Sequence, residues 1–113
     1  MHTVLIQEVT GQYKGRGWRD ELVECTGVIG LRAIIMPPVD LTPQAVEHFL
    51  WREHELQRPM LLGTTGRATV IFDPLARSGG PVPANQRETL ASATLNLLGV
   101  MGVDACIAEA EGV

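Results

Sequence analysis

Apolar and polar positions along the chain divide it into short, well-separated runs. Thr3 to Val9 is rich in β-branched residues with Val4, Ile6 and Val9 apolar, and it reads as a strand. Gly11-Gln12-Tyr13-Lys14-Gly15-Arg16-Gly17 reads as a basic loop punctuated by glycine. Asp20 to Thr26 fits neither clean alternation nor a long helix, because Leu22 and Val23 are adjacent, and a strand is the better fit. Val28 to Met36 is aliphatic and β-branched, and Pro37-Pro38 ends it as a largely buried strand.

The next segment carries the strongest local signals. Thr42 suits the N-cap and Pro43 the first helical position, while Leu41 and Val46 stand at the two positions of a hydrophobic staple. Arg58-Pro59 supplies a stop, so a helix is expected from Pro43 to Arg58 with Val46, Phe49, Leu50 and Leu56 facing the core. Met60 to Gly63, Thr64-Thr65-Gly66 and Ala68 to Phe72 suggest a hairpin or a turn leading into a strand, with Val70-Ile71-Phe72 buried. Residues 73–84 form a long loop containing Gly79-Gly80 and three prolines, and such loops are usually functional or held by a neighbour.

Asn85 followed by Glu88 has the spacing of a capping box and opens a second expected helix. There Leu90, Thr94, Leu97, Leu98 and Met101 point inward, and Gly102 is the stop. Val103, Ala105 and Ile107 alternate with Asp104, Cys106 and Ala108 in a last strand. The expected order is strand, strand, strand, helix, strand, helix, strand. It specifies an α+β fold: a mixed, mostly antiparallel sheet of about five strands, two helices on one face, and one parallel crossover at the end. With no repeat or low-complexity tract, residues 1–113 form a single expected domain.

Composition narrows the function classes. The chain is 45% hydrophobic, yet only 19% of it is charged, below the usual quarter. Some surface is therefore expected to be small, apolar or covered by another chain. A net charge of -4 disfavours nucleic acid as the main partner, because phosphate binding needs a cationic face. Cys25 and Cys106 form no CxxC pair and read as reduced core residues. The N-terminus lacks a signal-peptide pattern and no apolar run spans a bilayer, so a cytoplasmic location without membrane contact is expected.

The candidate chemistry is sparse. On a continuous helix His48 and His54 point about 120° apart, which prevents chelation of one ion, and Arg52-Glu53-His54-Glu55 is not a zincin motif. Neither glycine-rich segment, 11–17 or 63–67, has P-loop spacing. Ser78 stands in Arg77-Ser78-Gly79-Gly80 rather than a nucleophile elbow. Carboxylates such as Glu53 and Asp73 could act as a pair only if the fold joins them. No catalytic, cofactor-binding or metal-binding residue is assigned, and the reading leans away from an enzyme.

What remains is surface. Glu47, Trp51, His54 and Arg58 recur at helical spacing as a second stripe, and tryptophan beside arginine is the composition of interface anchors. Trp18 raises the same question beside the basic loop. Lys14, Arg16, Arg19, Arg67 and Arg77, with Arg87, fall mostly in loops and are candidate anion contacts if those loops cluster. The leading expectation is a non-enzymatic binding or assembly subunit, such as a particle or virion component, that forms a homo-oligomer or docks into a larger protein complex. The alternative is a small regulatory or inhibitor module binding a protein or nucleic acid, and the third a small carboxylate-based enzyme.

Overall fold

The computed structural model describes residues 1–108. Seven elements follow one another: β1 (His2–Arg16), β2 (Leu22–Met36), α1 (Pro43–Leu50), β3 (Met60–Thr64), β4 (Thr69–Pro74), α2 (Ala84–Val100) and β5 (Ala105–Ala108). The strands form one sheet in the order β3-β4-β2-β1-β5. All neighbours are antiparallel except β1 and β5, which are parallel. The expected α+β class and mixed five-stranded sheet are therefore present. The order of elements is corrected: two strands rather than three precede α1, and a β3–β4 hairpin follows it.

The largest correction concerns residues 11–17. They continue β1 to Arg16 and pair with β2 throughout, from Gly11 opposite Gly27 to Arg16 opposite Leu22. Gly11 and Gly15 seat cross-strand side chains, while Gly17 opens the β1–β2 turn, its carbonyl accepting from the Asp20 N–H at 2.9 Å. A Cβ on Gly11 would lie 2.6 Å from Ile29 Cδ1, and one on Gly15 2.7 Å from the Cys25 sulfur. The segments 20–26 and 28–36 likewise join into one strand from Leu22, Asp20 and Glu21 belonging to the turn, with a register shift opposite Val9/Thr10. Two paired 15-residue strands reach about 50 Å at ~3.4 Å per residue, which accounts for the 53 Å long axis of the molecule.

Alternation gives the sheet two distinct faces. Val4, Ile6, Leu31, Ala33, Ile35 and Ile71 point to the face covered by the helices. There they meet Val46 and Leu50 of α1 and Leu90, Ala93, Leu97 and Leu98 of α2 in one core, closed by Val39, Leu41 and Leu56. Thr69, buried on the same face, uses its hydroxyl to accept from the Val39 N–H (2.9 Å) and donate to the Val39 carbonyl (2.8 Å), so the segment leaving β2 is tied to β4.

Both helices begin near the expected positions, but their ends and caps differ. Thr42 caps α1 by accepting from the Ala45 N–H at 3.1 Å. The helix stops at Leu50, eight residues short of Arg58, and residues 51–58 continue as successive turns. In a continuous helix the Gln57 N–H would bond to the Glu53 carbonyl. Here it donates instead to the Asp73 carboxylate at 3.0 Å, while Leu56 turns into the core. The Asn85–Glu88 capping box does not form, because Pro83 is the N-cap and Asn85 lies inside α2. Met101 is exposed rather than inward. Cys25 is half-buried and Cys106 exposed, so neither is a core residue, although both thiols are free. α2 carries the chain across β2 and β1 to the far edge, where β5 runs parallel to β1. No helix among the described residues is long and apolar enough to cross a membrane.

Gly30 is the tightest point of the central pairing. A Cβ there would lie 2.6 Å from both the Asp73 carbonyl oxygen and the Phe72 ring. Gly30→Ala should therefore force β2 and β4 apart and lower stability by about 1–3 kcal/mol. Gly66→Ala, which meets nothing within 4 Å, should be close to neutral. Urea unfolding of the two variants checks the contrast.

Candidate functional site

The early end of α1 changes what the Glu47-Trp51-His54-Arg58 stripe is. Beyond Leu50 these residues no longer follow a helix, and the chain folds back along β3. Glu47, Trp51 and Arg58 nevertheless converge. With Pro43, Pro59, Met60 and Leu61 they line a groove of about 350 Å3 between the outer side of α1 and the β3 edge of the sheet. The Arg58 guanidinium lies 5.2 Å from the centre of the Trp51 ring, within cation–π range, and Trp51 remains 46% exposed. His54 is exposed and does not line the groove. His48 stays on α1, edge-on to Phe49 with ring centres 4.9 Å apart. Among the described residues, no three His, Cys, Asp or Glu side chains are grouped to hold a metal ion.

Beneath the groove lies a buried carboxylate. Asp73 on β4 is fully inaccessible. One of its oxygens accepts from the Gln57 N–H, and the other accepts from the side-chain amide of Gln86 in the first turn of α2, at 2.8 Å. The Arg58 N–H also donates to it. Burial pushes this carboxyl above its ordinary value, and the hydrogen bonds from Gln86, Gln57 and Arg58 pull partly back. Its partners are backbone N–H groups and an amide, the pattern of a structural anchor that sets where Arg58, and hence the groove, sits. Every buried side-chain polar atom among the described residues has a partner.

Through Met60 the groove adjoins the helix-free face of the sheet. Residues directly opposite one another on neighbouring strands share a face. The pairs Leu5–Ile34, Ile34–Val70 and Phe72–Met60 therefore place five large apolar side chains there. Gln7, Arg32 and Phe72 continue the same face, with the Gln7 side-chain oxygen accepting two bonds from Arg32 at 3.0 and 2.8 Å. Met60 belongs to both surfaces and is 48% exposed. Sequence reading missed this face, although the run Val70-Ile71-Phe72, apolar on both sides of a strand, is a signal for it.

The candidate cations divide. Lys14, Arg16 and Arg77 adjoin a second cleft with Tyr13, Gly15, Cys25 and Ser78, between the hairpin and the loop after β4. Lys14 and Arg16 leave β1 on the face opposite Tyr13 and Cys25, however, and pair with Glu24 and Asp20, so the three cations are not brought together. Arg19 lies in the β1–β2 turn, stacked 4.5 Å from the centre of the Trp18 ring, and Trp18 is 86% exposed at that tip, outside the Trp51 groove. Arg67 lies in the β3–β4 turn, where its N–H bonds to the Thr65 hydroxyl. Arg87 reaches back from α2 to the Ile6 carbonyl at 3.5 Å.

No protein-family model, no curated protein and no solved structure matches the chain. Its function is therefore argued from its own residues.

Two outcomes follow for Asp73. Asp73→Ala would leave the Gln57 N–H and the Gln86 amide without their acceptor, and should lower stability by about 2–4 kcal/mol in denaturant unfolding. A carboxyl with a raised folded value binds more protons folded than unfolded, so its contribution is greatest below the ordinary value of 3.8 and is lost as pH rises through the raised one. The stability of the wild type relative to Asp73→Asn should accordingly decline with rising pH across that window, as parallel unfolding series would show.

Proposed function

We propose that the protein is a non-enzymatic assembly subunit that self-associates through the helix-free face of its sheet and the adjoining Trp51 groove. The observation that supports this most directly is the absence of a second layer. A sheet with apolar side chains on both faces needs both covered. The helices cover one face, while Leu5, Ile34, Val70 and Phe72, all half-buried, and the exposed Met60 occupy the other, which neither helix covers.

The make-up of this surface is that of a protein interface. Its centre is aliphatic and aromatic, and its one charged side chain there, Arg32, is braced by Gln7. At the border, Trp51 stacks with Arg58, and tryptophan and arginine are the residues that most often dominate binding energy. Leu62 on the edge strand is 59% exposed and extends the apolar border. The low charge of the chain agrees with a covered surface. The alternative of a small regulatory module draws instead on the cations of the hairpin and loops, of which Lys14 and Arg16 are paired with Glu24 and Asp20.

Sedimentation at increasing protein concentration tests the reading. The wild type should show a mass above that of one 12.3 kDa chain. Met60→Glu, which places a charge where the groove meets the open face, should shift the equilibrium toward monomer by at least tenfold in dissociation constant, and Trp51→Ala by a similar amount. A strict monomer at high concentration, unchanged by either substitution, would rule out self-association.

A further inference from the structure

The β1–β2 hairpin runs well beyond the strands that flank it. β4 pairs with β2 only over Gly30–Ile35, and β5 with β1 only over His2–Leu5. From Gly11 and Gly27 outward the hairpin is a two-stranded ribbon, with no third strand among the described residues. A ribbon of this kind is marginal in water unless another surface supports it. Its end nevertheless carries the more exposed of the two tryptophans, Trp18, with Leu22 beside the turn also exposed. An indole this exposed adds little burial to its own fold and is available to another surface.

The Trp51 groove complements this tip. Pro43, Pro59 and Met60 give it an apolar wall beside the Trp51 ring, and its volume of about 350 Å3 admits one indole side chain. Glu47 and Arg58 line it, and neither forms an ion pair among the described residues. In the turn, Arg19 and Glu21 are likewise without an ion pair among the described residues. Tip and groove thus each present one acid and one base around a tryptophan. Arg19 against Glu47 and Glu21 against Arg58 would set the orientation, because exposed pairs contribute more to specificity than to affinity.

The two cannot meet within one chain. Met60 stands opposite Phe72 and Phe72 opposite Arg32, so the groove is level with Arg32 on β2. From Arg32 to Leu22 the strand covers roughly 33 Å at ~3.3 Å per residue, and Trp18 lies further out. We propose that the Trp18 tip of one copy docks in the Trp51 groove of a second copy. This rests on the reading of the protein as a self-associating subunit and names a head-to-tail contact for it. Such a contact repeats from copy to copy, closing into a ring or continuing as a filament.

Photo-crosslinking with p-benzoylphenylalanine in place of Trp18 tests the contact directly. The substituted chain is mixed with 15N-labelled wild type, irradiated and mapped by mass spectrometry, so that crosslinks between copies are told from those within one. Crosslinks between copies should fall on residues 43–61. In sedimentation, Trp18→Ala should weaken self-association about tenfold, as Trp51→Ala does. The double variant should be no weaker than either single one, because both residues serve one contact. Crosslinks confined to the strands of the helix-free face or to the same chain, or no crosslink at all, would overturn the proposal. So would an unaltered Trp18→Ala, or a double variant weakened about a hundredfold. Each of these results leaves the wild-type oligomer, and with it the self-association reading, intact. A wild type that stays monomeric at high concentration overturns both.

Discussion

Asp73 holds together parts of the chain that local sequence preferences would have kept apart. Its carboxylate lies in the interior, where an ionised group is tolerated only when its lone pairs are well partnered. Three partners come from two directions: the N–H groups of Gln57 and Arg58 from the turns after α1, and the amide of Gln86 from the start of α2. Serving the first pair requires α1 to end before Gln57, since a helical Gln57 N–H would already be committed to Glu53, and the helix ends at Leu50. Serving the third draws the first turn of α2 against β4, which also directs the preceding loop. The groove thus adjoins segments that this one side chain helps to place.

The two surfaces differ in the way each is built. The helix-free face follows from side-chain alternation that sets Leu5, Ile34, Val70, Phe72 and Met60 opposite one another, and its chemistry is burial of area with the groove's tryptophan at the border. The second cleft follows from backbone geometry, in which the left-handed Gly79 lets a loop lie against Tyr13.

The points where sequence reading and structure part have physical causes. Leu41, Thr42, Pro43 and Val46 set the start of α1 through contacts within one turn, and that start is legible. Its end is not, because Arg58-Pro59 is a permissible stop while the true one is imposed by a carboxylate 15 residues beyond Arg58 in β4. Gly11, Gly15 and Gly17 look like turn residues because glycine is ambiguous. Whether it bends a chain or makes room for a neighbour depends on what lies across the ladder: Gly11 and Gly15 make room for Ile29 and Cys25, diagonally placed on β2, while Gly17 does open the β1–β2 turn. Trp51, Glu47 and Arg58 were legible as a group, though through a helical spacing that the structure does not possess; His54, at the same spacing, falls outside the groove.

The amino-acid pattern by itself determined the α+β class, the buried strand after Val28, the start of the first helix and the core-facing leucines of the second. Each of these rests on periodicity or on contacts a few residues apart. Tertiary structure alone decided the length of the β1–β2 hairpin, the early end of α1 and the second face of the sheet that the helices leave uncovered. Those depend on pairings across 10 to 80 residues, in which a side chain's meaning is set by a partner that no local window contains.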